Sequence, residues 1–388
     1  MIDQIHKRMK ITVLMDSFKG SLTSEEAGEA VKAGIEASGI GAKITVFPFA
    51  DGGEGTLDAF LKADKNSKKI KVGVSDPLGR KIDAYYGVLS DDTVIIETAQ
   101  AAGLCLLSEK ERDPLITTTK GVGQLLKHAV GQGYRDFIIA LGGSATNDCG
   151  IGMLQELGLR LLDKSGEPVG FGALGMSEVV SVDDDTLMPE LKDCNVIIAG
   201  DVDNPLCGPN GASYVFAPQK GALPEDVVRM NSWMKNLSDI FKSRYNSANP
   251  QAKGAGAAGG LGFAIQTFLN GKMLPGAEVL LNRTDIEKVI SSSDLVITGE
   301  GSIDSQTARG KAPARIAAVA KRYGKRVIAF AGCVKDGAEA CHDIGIDEIY
   351  QITPASMPLE EALKRDIAID NIRRTVCDIM RTETTVRS

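Results

Sequence analysis

Aromatic residues make up only 5% of the chain, with a single Trp, so the stacking platforms that single-stranded nucleic acid needs are missing. Lys and Arg (44) are outnumbered by Asp and Glu (51), the formal charge is −7, and no basic stripe appears. A nucleic-acid footprint is therefore not expected. Histidine is scarce, at positions 6, 128 and 342, and none stands at ligand spacing with a cysteine. The cysteines (105, 149, 194, 207, 333, 341 and 377) are dispersed without a C-x-x-C pair, which argues against zinc sites and disulfides. Reduced thiols in a cytoplasmic protein are the expectation. No apolar run reaches the roughly 18 residues of a membrane span. The opening MIDQIHKRMK lacks the apolar core of a signal peptide and reads as an extension before the first strand. With no G-x-S-x-G elbow and no plausible Ser-His-Asp order, nucleophilic hydrolysis is disfavoured.

What is present is a chain of 388 residues, 43% hydrophobic and 24% charged, with 43 glycines. That length favours two domains over one core. The first part alternates strand and helix: KITVLM (10–15), SEEAGEAVKAGIEAS (24–38, capped by Thr23 or Ser24), AKITVFPF (42–49), then a helix through TLDAFLKA. Near residue 69 the pattern changes to KIKVGVS, KIDAYYGVLS and TVIIETA, strands joined by turns, which implies an antiparallel meander. Mixed elements follow, and βα alternation returns from about 285 with DLVITG, RVIAFAG, EIYQIT and a C-terminal helix. The expected fold class is α/β. Residues 1–75 and 285–388 would form a Rossmann/flavodoxin-like, parallel, three-layer domain, and residues 76–284 an inserted mixed α/β domain.

Apolar strands run repeatedly into polar, Gly-rich loops that carry acids. These are MDSFKGS (15–21), PFADGGEGT (48–56), LGGSATND (141–148), AGDVDNPLCGPNG (199–211) and TGEGSIDSQT (298–307). In open α/β sheets ligands bind outside the carboxyl ends of strands. Strand-to-helix turns need Gly, Ser and Asp for backbone and capping reasons, which explains any one loop. It explains less well why Asp16, Asp51, Glu54, Asp148, Asp201, Asp203, Glu300 and Asp304 all fall there. One composite site is the expectation.

LGGSATND is the best phosphate candidate: Gly142 and Gly143 allow close approach, Ser144 and Thr146 offer hydroxyls, and a helix follows. Asn147 and Asp148 are equally readable as helix caps. GAGAAGGLGF (254–263) matches G-x-G-x-x-G but follows a loop instead of a strand, so it is not a dinucleotide fingerprint. It reads as a phosphate-contacting loop or as close helix packing. GSIDSQTARGKAP is a near-miss for a P-loop, with Ser305 in place of the first glycine and Ala312 in place of the hydroxyl. Of the cations near these loops (Lys19, Lys220, Arg283, Arg309 and Lys311), Lys19 is the candidate anion holder, and the others read as surface. Many carboxylates, Gly-rich loops and few cations suit phosphoryl transfer, in which acids bind Mg²⁺ and one Asp takes the hydroxyl proton. A metal-dependent phosphatase or a sugar-binding module would use similar parts.

DSFKGSLTSEEAGEAVKAG, PFADGGEGTLDAF, GGSATND, DVDNPLCGPNGAS, GAGAAGGLGF and TGEGSIDSQT together, in order and over nearly all of Met9 to the C-terminus, resemble the bacterial glycerate kinase family. The resemblance implies ATP- and Mg²⁺-dependent phosphorylation of D-glycerate, at O2 in most members, with phosphorylation at O3 or a non-catalytic sensing module as alternatives. It also implies an active site in the cleft between the two domains. Carried over residue by residue, it puts Asp16, Ser17, Lys19, Asp51, Gly52, Gly53, Glu54, Ser144, Asn147, Asp148, Asp201, Asp203, Asn204, Glu300 and Asp304 in that site. Within it, Asp201 is the expected base, because it ends a buried strand, with Asp51 or Asp304 next. Lys19 and Ser17 would hold the glycerate carboxylate, and Gly142–Asp148 the ATP phosphates. Glu300 and Asp304 would hold Mg²⁺, and Lys311 would begin a helix. Two positions depart from the family pattern: Met15 replaces a proline, and Cys149 a glycine, where positive φ would be strained.

Overall fold

The described residues of the computed structural model are 8–387. The expected N-terminal extension lies, through residue 7, outside them, and so does His6. Strands follow in chain order as β1 (Met9–Met15), β2 (Ala42–Pro48), β3 (Lys68–Ser75), β4 (Lys81–Val88), β5 (Val94–Glu97), β6 (Asp136–Ala140), β7 (Arg160–Leu162) and β8 (Ser181–Asp183). They continue as β9 (Asn195–Ala199), β10 (Lys272–Leu274), β11 (Leu295–Ile303), β12 (Arg326–Val334) and β13 (Glu348–Gln351).

The chain divides into two units, 1–51 with 277–388, and 52–276. In the first, β13-β12-β11-β1-β2 form a five-stranded sheet, parallel throughout. Period-2 alternation puts Ile11, Val13, Met15, Ile297 and Phe330 into one core, with the helices Ser24–Ser38 and Arg365–Arg387. Against β11 and β12 the helix Ala312–Arg322 buries Ile316, Ala317 and Ala320. Ser24–Ser38 begins as its sequence predicts, with a Thr23/Glu26 capping box, and ends at Gly39 in the left-handed region. Gly34 lets that helix lie on Arg365–Arg387, because a Cβ there would fall 2.7 Å from the Arg373 carbonyl oxygen. Gly34→Ala is expected to destabilise the first unit by about 1–3 kcal/mol. An unchanged thermal midpoint would contradict that packing account.

In the second unit β10-β9-β6-β5-β4-β3 form a six-stranded mixed sheet. The β3–β4 and β4–β5 pairs are antiparallel, as the meander predicts, and the β5–β6, β6–β9 and β9–β10 pairs are parallel. A two-stranded antiparallel sheet of β7 and β8, not expected from the sequence, stands apart, its strands joined through the helix Gly172–Glu178. The core centres on Val94, Ile96, Ile139, Ile198, Leu154 and Phe263.

The boundaries differ from the expected 75 and 285. The helix Thr56–Ala63 and β3 look like a further βα step, yet β3 pairs along its whole length with β4 and so belongs to the second unit.

Candidate active site

In the first unit the C-terminal ends of β1, β2 and β11 bring three acidic loops together. Asp16 follows β1, and its N–H donates to the Gly299 carbonyl at 2.9 Å, which ties it to β11 beside Glu300. The side chain is 7% exposed and accepts the Ser17 N–H at 2.7 Å. Burial, then the nearby charges of Asp51 and Glu300, push its pKa up from 3.8 to about 7, while Ser17 N–H and Lys19 pull the other way. Asp16 is thus the desolvated carboxylate, with Ser17 half-buried beside it and Lys19 exposed.

Glu300 accepts the Thr307 hydroxyl at 2.5 Å and Lys311 Nζ at 3.5 Å, and burial raises its pKa. Asp304 caps the turn Ser305–Ala308 through the Gln306 and Thr307 N–H groups, with Lys311 Nζ at 3.7 Å. Desolvation is the largest influence on it, but these donors and Lys311 together hold its pKa below the usual value. Lys311 begins the helix Ala312–Arg322, as expected, and also bridges the two acids assigned to Mg²⁺. The pair therefore carries an ammonium group where the sequence reading placed the metal. Among the described residues no three His, Cys, Asp or Glu side chains are grouped to hold a metal ion. These residues do not fit a preformed metal centre.

In the second unit the loops after β6 and β9 close on Gly52 and Gly53. Gly142 N–H donates to Gly52 O at 2.9 Å, and a Cβ on Gly52 (φ +99°) would fall 2.4 Å from Ala199 O. Glu54 is exposed. Beside them Glu97, at the end of β5, accepts Leu57 N–H at 2.9 Å and so caps the helix Thr56–Ala63. Burial pushes its pKa up to about 7. Glu97 is a further buried acid beyond those expected from the sequence, and its signal, an acid ending the apolar run TVIIE, is the same as that of its neighbours.

The LGGSATND loop divides by burial. Gly142, Gly143 and Ser144 form its outer part, whereas Thr146, Asn147 and Asp148 are fully buried. Asp148 accepts the Thr119 N–H and hydroxyl, each at 2.9 Å, and the Gly150 N–H at 3.1 Å. Asn147 donates to Ser213 Oγ at 3.0 Å. These contacts favour the capping reading of that pair over contact with phosphate. Cys149 has φ +52°, the strained conformation expected, and its N–H donates to Gly259 O at 2.9 Å. Gly259 is required there, since a Cβ would meet Thr146 O at 2.1 Å, so GAGAAGGLGF packs closely against this loop. Lys220, read as surface, is 2% exposed, and its Nζ lies 2.9 Å from Ser144 Oγ and 2.7 Å from Thr146 O.

Asp201 is exposed, so the burial argument that made it the expected base does not hold, because β9 ends two residues earlier, at Ala199. Asp203 pairs with Lys253 at 3.2 Å in solvent, and Asn204 Nδ2 donates to Asn210 O at 2.8 Å. His128 contacts Tyr86, which agrees with a structural role.

With this geometry in view, the comparisons with known proteins are decisive. The family model described as the glycerate kinase family matches residues 11–384. The chain belongs to that family. It is 42% identical over 372 residues to a glycerate kinase of Bacillus subtilis strain 168, covering 96% of this chain and 97% of that protein. It is 40% identical to a glycerate 2-kinase of Escherichia coli K12 over 375 residues, 96% and 98% of the two chains. A crystal structure of a Salmonella typhimurium LT2 protein assigned as glycerate kinase 2 superposes with a TM-score of 0.82 at 38% identity, covering 98% of this chain and 99% of that one. The α/β class with parallel sheets and the reading as a kinase enzyme agree with these matches. Among the described residues no helix is long and apolar enough to cross a membrane.

Proposed function

We propose that this kinase transfers the γ-phosphoryl group of ATP to the 2-hydroxyl of D-glycerate, giving 2-phosphoglycerate and ADP. The choice of O2 is supported by the name of the Escherichia coli relative. The catalytic assignment is carried by the desolvated Asp16 carboxylate and the charges that act on it.

Asp16 is the general base. It accepts the proton of the glycerate hydroxyl as that oxygen bonds to the γ-phosphorus, and the β–γ bridging oxygen leaves with ADP. A base is most effective when its pKa lies near the working pH, and burial, with the charges of Asp51 and Glu300 beside it, brings Asp16 there. Lys19 and Ser17, next in sequence, hold the glycerate carboxylate. Gly143 and Ser144 offer N–H and hydroxyl donors to the phosphates of ATP, Gly142 lets the loop lie close on Gly52 and Gly53, and Thr146, Asn147 and Asp148 hold that loop in shape. Mg²⁺ would serve as the counter-ion of the triphosphate and neutralise its charge. The free cysteines suit a reducing, cytoplasmic compartment.

Phosphorus NMR of the product formed from D-glycerate, ATP and Mg²⁺ tests the reading directly. The resonance of 2-phosphoglycerate is expected. The 3-phospho isomer would move the acceptor to O3, and the absence of glycerate-dependent ADP would overturn the assignment.

A further inference from the structure

Lys220 has no partner that explains an ammonium group in a protein interior. It ends the short turn Pro218–Lys220, and its Nζ donates to Ser144 Oγ at 2.9 Å and to Thr146 O at 2.7 Å. No carboxylate lies within ion-pair distance of it among the described residues. A buried lysine without an ion pair is costly. A purely structural link between these two oxygens could be made by a neutral amide at lower cost.

The chemistry of the contact suggests a reason. An ammonium group has donors and no lone pair. When it donates to Ser144 Oγ, the serine cannot donate back, so its own proton must go elsewhere. Ser144 lies at the outer end of the buried segment, 6% exposed, directly after Gly143. A neutral amine reverses the arrangement, since its lone pair can take the Ser144 proton and draw that donor inward.

We propose that Lys220 is a positioning residue that turns the Ser144 hydroxyl outward as a hydrogen-bond donor to a phosphate oxygen of ATP, and that loss of its proton withdraws this donor. The inference rests on the reading of Gly142–Ser144 as the donor-phosphate loop. Burial lowers the Lys220 pKa to about 7, with Asp148 opposing, so the change falls in an accessible range. Other charged or titratable groups stand on the segments around it. Arg112 is one, since its carbonyl approaches Gly221; Glu97 and Cys105 flank the Gly103 bridge to Ser144; Tyr214 is exposed on the helix Ala212–Phe216. The Ala257–Phe268 helix, which packs on Thr146, contributes none. Asp148 is the one that acts on Lys220.

The test compares full-length wild type with Lys220→Arg, Lys220→Met and Ser144→Ala, measuring both substrate KM values against pH and calorimetric binding of a non-hydrolysable ATP analogue with Mg²⁺. In wild type the ATP KM and the analogue Kd are expected to rise above the Lys220 pKa, by at most about tenfold per pH unit, and to level off at the Ser144→Ala values. Lys220→Arg, which stays charged, should flatten that rise, and Lys220→Met should be weak at every pH. Glycerate KM should not follow this pattern. Equal pH profiles for wild type and Lys220→Arg, or unchanged analogue affinity in Lys220→Met, would overturn the proposal. Should the Lys220 variants fail to fold, Ser144→Ala decides: the proposal requires weakened analogue binding that no longer depends on pH, and wild-type behaviour refutes it. If Ser144→Ala instead raises only the glycerate KM, the donor-loop reading fails, and the proposal with it. A wild-type enzyme that binds the analogue with the expected pH dependence but releases no ADP would leave Lys220's role standing and refute the kinase reading.

Discussion

Asp16→Asn is expected to lower kcat by about 10²–10⁴-fold, the contribution of a positioned general base. The same change at exposed Asp201 should cost much less. Wild-type kcat/KM should fall as pH drops through about 7, where Asp16 takes up a proton, and Asp16→Asn should lose that limb. Stability gives an independent readout with a definite sign. The folded-state pKa of Asp16, about 7, lies above the ordinary value of 3.8 that it has in the unfolded chain, so the folded protein binds the proton more tightly than the unfolded chain. Ionisation therefore weakens the fold as pH rises from 4 through 7. At pH 8 the asparagine variant should melt higher than wild type, with about 4 kcal/mol as a ceiling set by three pKa units. At pH 4 the difference should vanish. An enzyme inactivated by simple misfolding would melt lower at both pH values. Retention of full kcat in Asp16→Asn, or a dominant loss in Asp201→Asn, would return the base assignment to Asp201.

The residues that sequence reading placed well are those whose role is local. Thr23 or Ser24 ahead of an amphipathic run announces a helix start, and the helix runs over Ser24–Ser38 as expected, with Thr23 as the cap. The acids at strand ends were legible because the strands were. Burial was not legible, since it depends on how far each strand runs before its loop. Asp16 follows β1 immediately and is buried, while Asp201 stands two residues beyond β9 and is exposed. Pairing over long separations was equally hidden. The Lys311 contacts with Glu300 and Asp304 follow from a turn whose shape the sequence does not state. Lys220 sits among Pro, Gln and Gly, a context that suggests surface, and nothing in it reveals Ser144 some 76 positions away. The same limit moved the unit boundary: Lys68–Ser75 reads as a strand in either unit, and only its pairing with Lys81–Val88 decides which.

Asp148 illustrates how a residue of the expected site can serve the fold instead of the ligand. Its carboxylate is wholly buried, accepts two bonds from Thr119 and one from Gly150, and supplies the charge that acts on Lys220. Asp148→Ala would leave these donors unsatisfied and remove that charge, which is expected to cost about 3–5 kcal/mol. For a unit of this size that corresponds to a fall of roughly 10 °C in the melting midpoint of its transition. Asp148→Asn keeps an acceptor for Thr119 and should fall between wild type and Asp148→Ala. Contact with ATP phosphate predicts the opposite pattern: a raised ATP KM with an unchanged midpoint. Calorimetric melting of Asp148→Ala without ligand separates the two, since a preserved transition would place the Asp148 carboxylate against substrate and not in the loop's support.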